Sequence, residues 1–187
     1  MPSKLITAVS TQVLTAVETK ARLKITDTAE DTVIDSLISE MRAACQSKTN
    51  RGVGAQTWEL AFDTFPDAIQ LILPPFIAVD WLKYYNSAGV LTTLASNQYT
   101  IDDFNEPGYI VEATDVTWPE TYDTINAVRV QIQCGYVAAN LPQELRLWML
   151  ANVGHFHRNR EVFTADDKGQ RTIVDGLLDA HRIPACL

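Results

Sequence analysis

Cysteine and histidine are scarce in this sequence. These are the residues that metal sites and nucleophilic enzymes use most often. The 187 residues include three cysteines, Cys45, Cys134 and Cys186, and three histidines. An odd number of widely separated cysteines argues against a disulfide framework and against a clustered zinc site. Cys45 and Cys134 fall in phase with apolar neighbours, so we expect both to be reduced thiols in the core.

Basic residues and long apolar runs are also lacking. The chain contains 15 lysines and arginines and 23 acidic residues, which gives a formal net charge of −8. This charge repels phosphate, so the composition argues against tight nucleic-acid binding and leaves only passing contact with DNA. No stretch approaches the roughly 18 consecutive apolar residues of a membrane span, and the first residues do not have the layout of a signal peptide. We therefore expect no membrane partner and a protein made and kept in the cytoplasm.

The motifs of nucleotide sites and of hydrolases are missing as well. Gly52-Val53-Gly54 lacks both the third glycine and the preceding strand of a dinucleotide-binding loop, and neither a P-loop nor a G-x-S-x-G sequence occurs. His155 and His157 are two residues apart, which on a helix separates them by roughly 200° and prevents them from sharing a metal. The sequence therefore predicts no catalytic residue, no cofactor and no metal ligand.

Apolar spacing predicts one short helix and two long ones. The short helix covers residues 14–24 and ends in basic residues that complement the helix dipole. Asp27 is the predicted N-cap of a second helix over 28–48, and Pro142 suits the first turn of a third helix over 142–161. The apolar stripes of the two long helices would pack against each other. We assign this packing to Leu37, Ile38, Met41, Leu145, Trp148, Met149 and Phe156.

Between the two long helices the apolar period changes from helical to two. Trp58, Leu60 and Phe62 define a half-buried strand, and residues 128–134 alternate almost perfectly. Further strands are predicted from Ile69, Leu71 and Leu73, from Ile77, Val79 and Trp81, and at 98–102 and 109–112. Because short strands with proline-rich turns leave no room for long crossovers, we expect one small antiparallel or mixed sheet within residues 56–135.

These elements predict an α+β fold. Two long antiparallel-packed helices and a short N-terminal helix accompany the sheet, which is inserted between the long helices. Residues 1–13 would form an arm, 14–163 the body, and 164–187 a polar linker with an extended C-terminal tail. The tail carries a detached apolar cluster, Ile173, Val174, Leu177 and Leu178, which needs a surface to bury it.

The order of several segments along the chain is itself evidence about the family of the protein. They are residues 14–25, 30–38, 51–58, 69–75 with Val79 and Tyr84, Trp118-Pro119, 128–136, 141–161, and 174–178 with Arg182. None is specific alone, since each encodes a turn or a packing face. Their order and spacing resemble the head-to-tail connector (adaptor) family of tailed bacteriophages and related gene-transfer particles, over residues 14–161.

This resemblance implies a structural subunit of the particle neck, assembled in the bacterial host cytoplasm, rather than an enzyme. Such proteins form a homo-oligomeric ring, typically of twelve copies, that joins the portal protein to the stopper or tail-terminator protein. DNA passes through the lumen of the ring without sequence-specific binding. In the family the C-terminal segment reaches the portal. The resemblance therefore implies portal binding by Ile173, Val174, Leu177, Leu178, Arg182 and Ile183.

Two other functions stay open at this point. One is a small metal-dependent or hydrolytic enzyme that uses His155, His157 or one of the aspartate pairs, Asp102-Asp103 and Asp166-Asp167. Both pairs lie beside loop signals, where solvated carboxylates are the usual finding. The other is a generic protein-binding module of the host, which portal, capsid and tail genes on either side would argue against.

Overall fold

The structure, a computed structural model, describes residues 2–159 and 174–184. Its contacts divide the chain into two compact units, each assembled from two stretches. Unit 1 comprises residues 1–10 and 55–135, and unit 2 comprises residues 11–54 and 136–187. The described strands lie in unit 1 and the described α-helices in unit 2, which confirms the predicted α+β class. This division cuts across the predicted arm, body and tail.

Unit 1 consists of two antiparallel sheets rather than the one sheet that was expected. Its strands are β1 (Ser3–Thr7), β2 (Gln56–Phe62), β3 (Ala68–Gln70), β4 (Phe76–Tyr85), β5 (Leu91–Thr93), β6 (Tyr99–Asp102), β7 (Tyr109–Glu112) and β8 (Val128–Cys134). Five strands pair in the order β1-β2-β8-β4-β5, and three in the order β3-β7-β6. The edge strands β1 and β5 were not predicted. All five residues of β1 are exposed, so burial imposes no apolar alternation on this part of the predicted arm.

The core of unit 1 is formed by one face of each sheet. Along β8, buried and half-buried residues alternate without interruption, as the sequence pattern predicts. Leu60 and Leu82 of the larger sheet join Ile69 and Ile110 of the smaller sheet in one buried cluster. The opposite face of the larger sheet is therefore left without a partner sheet within unit 1.

Strand β4 does not keep the predicted period. Ile77, Val79 and Trp81 were expected on one face, but the register of β4 against β8 shifts between Phe76 and Ala78 and again between Val79 and Trp81. Val79 and Leu82 then lie opposite the buried Ile132 and Val130, whereas Trp81 lies opposite the half-buried Gln131. Each β-bulge inserts an extra residue and so reverses the phase of the side chains that follow.

Unit 2 is built from α1 (Ala16–Leu23), α2 (Asp31–Thr49) and α3 (Gln143–Asn159). Helix α1 begins after Thr15, whose hydroxyl accepts a hydrogen bond from the Glu18 N–H at 3.1 Å. The predicted cap of α2 was wrong. Asp27 instead accepts from the Ala29 N–H at 2.9 Å in the preceding turn, and α2 starts four residues later. Within the described residues, no helix is both long and apolar enough to cross a membrane.

Helices α2 and α3 share one apolar core. Ile34, Ile38 and Cys45 of α2 and Leu145, Trp148, Met149 and Val153 of α3 are among its buried residues. Leu37 and Met41 are half-buried against this core, and Phe156 is also half-buried. His157 of α3 contacts Glu30 just before α2, and the Lys48 Nζ lies 5.8 Å from the centre of the Trp148 ring. These contacts join the start of α2 to the end of α3, and the end of α2 to the first half of α3.

The shifted phase of β4 can be tested by two alanine substitutions. Leu82→Ala should lower the free energy of unfolding by about 2–5 kcal/mol, because Leu82 is completely buried and its removal leaves a cavity. Ile77→Ala is the matched control. Ile77 is 43 % exposed, so its truncation should cost less than about 1 kcal/mol. Denaturant titration followed by tryptophan fluorescence measures both, and equal losses at the two positions would contradict the observed register.

Candidate functional site

The C-terminal segment, residues 174–184, packs within unit 2 against the core of α2 and α3 and is not a detached tail. It begins with a helical turn at 174–176 and contains a 3-10 turn at Asp179–His181. Leu178 is completely buried in the same core as helices α2 and α3, and Val174 and Leu177 pack against that core. The apolar spacing was recognised in the sequence, but the surface that buries it belongs to the chain itself.

The end of α2 holds this segment by hydrogen bonds. The Ile183 N–H donates to the Thr49 carbonyl at 2.9 Å, and the Asn50 side-chain amide donates to the Ile183 carbonyl at 2.7 Å. Asn50 ends α2 in the left-handed conformation, with φ of 55°. The last carbonyls of a helix have no partner within it, so the segment supplies a donor that the helix end lacks.

Side chains of α2 and α3 reach the same segment. The Trp148 indole N–H donates to Asp175 Oδ1 at 2.9 Å, and the Lys48 Nζ lies 3.2 Å from Asp175 Oδ2. Because Trp148 is only 2 % exposed, its N–H needs a protein acceptor, and Asp175 provides one. Glu144 lies 3.4 Å from His181. A backbone hydrogen bond, and to a lesser degree this histidine, lower the pKa of the Glu144 carboxyl.

Arg51 is the residue of this site that sequence reasoning missed. It is 8 % exposed, its Nε donates to the His181 carbonyl at 2.7 Å, and its Nη1 donates to the Tyr136 hydroxyl at 3.2 Å. In the sequence it lies just beyond the predicted end of a helix, where residues are usually exposed, and at the start of the 51–58 segment, which by itself indicates only a turn. A buried guanidinium that bonds to a distant carbonyl fixes the segment to the end of α2.

The six residues assigned to portal binding do not form one exposed surface. Leu178 and Ile183 are covered by unit 2, and Val174 and Leu177 are half-buried. Arg182 is exposed and lies 3.4 Å from Asp179. Ile173 lies outside the described residues. A partner can contact the Arg182 side chain while the rest of the segment stays in this packed conformation.

The residues considered for an enzyme have other contacts. His157 Nε2 lies 2.6 Å from Glu30, while His155 contacts Asn159 at 3.1 Å. The Asp102 carboxylate accepts from the Phe104 N–H at 3.1 Å, and Asp166-Asp167 lies outside the described residues. Across residues 2–159 and 174–184, no group of three or more His, Cys, Asp or Glu side chains could hold a metal ion.

Cys45 and Cys134 are free thiols that are completely buried, Cys45 in the core of unit 2 and Cys134 at the end of β8 in unit 1. Burial raises the pKa of each thiol to about 12. Because the thiolate is the nucleophilic form, neither cysteine is activated for chemistry at neutral pH.

The fold is thus an α+β fold with two antiparallel sheets in one unit and three described α-helices in the other. Solved chains similar to this fold include chains from gene transfer agent (GTA) particles. A chain in the neck of an empty GTA particle, computed with C6 symmetry, superposes with a TM-score of 0.78 at 22 % identity. Chains from the native GTA virion and from the native neck, computed with C12 symmetry, give 0.78 at 21 % identity.

The match extends over the whole molecule. Each of these alignments covers 100 % of this chain and 98 % of the solved chain. At the level of the fold, this confirms the resemblance to gene-transfer-particle proteins that the order of segments indicated. No family model matches the chain, and no curated protein matches its sequence.

Burial of the C-terminal segment can be tested by two substitutions. Leu178→Ala should lower the free energy of unfolding of unit 2 by about 2–5 kcal/mol, because it opens a cavity in that core. Arg182→Ala is the control, since an exposed ion pair contributes less than about 1 kcal/mol. Thermal melts compare the two, and hydrogen exchange at the Ile183 amide reports whether the segment is released. An unchanged melting temperature for Leu178→Ala would contradict the packing.

Thiol burial can be tested separately from stability. In a Cys186→Ser variant, Cys45 and Cys134 should not react with Ellman's reagent at about pH 8 while the protein is folded. Both should react after unfolding in guanidinium chloride. Rapid labelling of the native variant would show that at least one thiol is accessible, and mass spectrometry of the labelled peptide would identify it.

Proposed function

We propose that this chain is a non-enzymatic structural subunit of the neck of a tailed bacteriophage or gene-transfer particle. The observation that carries the proposal is the likeness of the entire chain, at a TM-score of 0.78, to chains from necks of GTA particles. The contacts of His155, His157 and Asp102 and the burial of Cys45 and Cys134 fit a structural role, since each has a packing or turn-forming partner.

In this proposal, twelve copies form a ring that joins the portal protein to the stopper or tail-terminator protein. The support is that similar chains occur in a neck computed with C12 symmetry. DNA would pass through the lumen of the ring without sequence-specific binding. The formal net charge of −8 suits a channel of this kind, because many lysines and arginines would hold the phosphates of the duplex.

The C-terminal segment is the proposed portal-binding element, through Ile173, Val174, Leu177, Leu178, Arg182 and Ile183. Leu178 and Ile183 are buried against unit 2, so their use in docking requires the segment to separate from the end of α2. Docking through the exposed Arg182 and the half-buried Val174 and Leu177 requires no such release. The two modes predict different effects of weakening the anchor at Arg51.

Assembly and docking can be measured on the purified chain. We expect mass photometry to show ring-sized particles of the chain alone or with its portal protein, and cryo-electron microscopy of the particle neck to place twelve copies below the portal. A chain that stays monomeric and binds no portal ring, in a particle whose neck lacks it, would refute the proposal.

Two variants address the segment in the same assay. Arg182→Ala should weaken portal binding by about tenfold without lowering the melting temperature, because loss of a charged interface contact costs binding while its surface ion pair adds little stability. Arg51→Ala removes one buried anchor of the segment and so weakens its attachment to the end of α2. It should strengthen portal binding if docking requires release, and leave it unchanged if docking uses the packed segment.

A further inference from the structure

The charge of the chain is unevenly divided between the two units. Unit 1 contains only three basic residues, Lys4, Lys83 and Arg129, against eleven acidic ones. Its formal charge is therefore −8, which equals the charge of the whole chain, because unit 2 contains twelve basic and twelve acidic residues. Any positively charged surface of unit 1 therefore consists of those three side chains.

All three basic residues project from the same face of the five-stranded sheet. Lys4 of β1 lies directly opposite Glu59 of β2, and Lys83 of β4 lies directly opposite Arg129 of β8. Glu59 and Arg129 alternate with residues of the core, so they point away from it. Residues that are directly opposite on paired strands share a face. We call this surface the outer face and define it by Lys4, Trp81, Lys83, Tyr85 and Arg129.

The cations of the outer face are only partly neutralised. Lys83 Nζ lies 4.5 Å from the centre of the Trp81 ring, and the Arg129 guanidinium lies 5.9 Å from the Tyr85 ring. Arg129 is also 3.9 Å from Glu59. In the part of the chain that the structure describes, neither Lys4 nor Lys83 has an ion pair. The outer face therefore offers positive charge next to flat aromatic surface.

The acidic residues of unit 1 are concentrated elsewhere. Residues 102–123 contain seven carboxylates and no basic residue. Within this stretch, residues 103–108 join β6 to β7, and we call them the Phe104 loop. The Phe104 side chain in this loop is 97 % exposed. Asp102 fixes the loop by accepting from the Phe104 N–H at 3.1 Å and from the Asn105 side-chain amide at 2.8 Å. A large aromatic ring that is held almost entirely in solvent is typical of an interface anchor, and the carboxylates beside it determine which charge a partner surface must carry.

The outer face and the Phe104 loop belong to different layers of unit 1. The loop joins two strands of the three-stranded sheet, whereas the outer face is the side of the five-stranded sheet that turns away from the shared core. In a closed ring, each contact joins one surface of a copy to a different surface of the next copy. The two surfaces are complementary in charge, and each contributes aromatic area.

We infer that the Phe104 loop of one copy docks on the outer face of the neighbouring copy. Phe104 packs beside Trp81 and the Lys83 side chain, and Asp103 and Glu106 face Lys4, Lys83 and Arg129. This inference rests on the proposed ring and adds the surfaces that close it. A second copy is favoured over a DNA phosphate as the occupant, because Glu59 shares the outer face and the net charge of unit 1 repels a polyanion.

Charge reversal in two variants tests the contact. The face variant carries Lys4→Glu and Lys83→Glu, and the loop variant carries Asp103→Lys and Glu106→Lys. Each alone places like charges across every contact, so the concentration for half-assembly should rise at least about tenfold. An equimolar mixture should assemble again, because an alternating ring pairs opposite charges at all contacts. Native mass spectrometry should then find equal numbers of the two variants in each ring.

Matched controls separate this contact from general effects. Asp67→Lys makes the same change as Asp103→Lys at the opposite end of the three-stranded sheet, and it should leave assembly unchanged. Thermal melts should show both reversal variants folded. Assembly of the unchanged chain should weaken as salt is raised, since exposed charges are screened.

The outcomes distinguish the inference from the ring itself. If the unchanged chain assembles and the face variant assembles equally well, the inferred contact is wrong while the ring stands. If the mixture fails to assemble but the face variant alone loses affinity for duplex DNA, the outer face is a DNA surface and the inference is overturned. If the unchanged chain forms no ring even in particle necks, the ring and the inferred contact fail together.

Discussion

The pairing of β8 is the constraint on which unit 1 depends, since this strand lies between β2 and β4 and pairs with both. Its side chains alternate strictly between the core and the opposite face. A slip of one residue would place Arg129 in the core and Val130 in solvent, so burial fixes the register. The same register sets Lys83 beside Arg129 on the outward side. The pairing of β8 with its two neighbouring strands thus determines both which side chains form the core and where the positive side chains lie.

In unit 2 the corresponding role falls to the end of α2. Thr49, Asn50 and Arg51 close the helix and also hold the C-terminal segment, through the Ile183 amide and carbonyl and the His181 carbonyl. The side chains of Leu178 and Ile183 cannot be buried in their own unit and against a portal at the same time. Docking that used these two residues would first have to replace the hydrogen bonds to the end of α2, and its net affinity would be smaller by the cost of that exchange.

Helices and strands were predicted from the sequence where one apolar periodicity continues over enough residues to be recognised. The bounds of β7 and β8 match the expected 109–112 and 128–134, because an alternating strand carries its own signal. The three-residue β5 is too short to show a period, and the bulges of β4 reverse its phase without any glycine or proline to mark them. The surface that buries the apolar cluster of residues 174–178 was missed for another reason. Apolar spacing indicates that these side chains are buried, but it does not identify the residues that cover them.

The net charge of the whole chain conceals its division, because unit 1 carries all of the excess negative charge and unit 2 carries none. A neutral unit 2 and a unit 1 of charge −8 behave differently, because exposed charges act mainly within a Debye length of about 8 Å at physiological salt. Like-charged copies of unit 1 brought side by side would repel one another in most orientations. All three cations lie on one face, so in the proposed ring the distribution of charge would make one orientation of neighbouring copies attractive, while the total charge would disfavour tight binding of DNA.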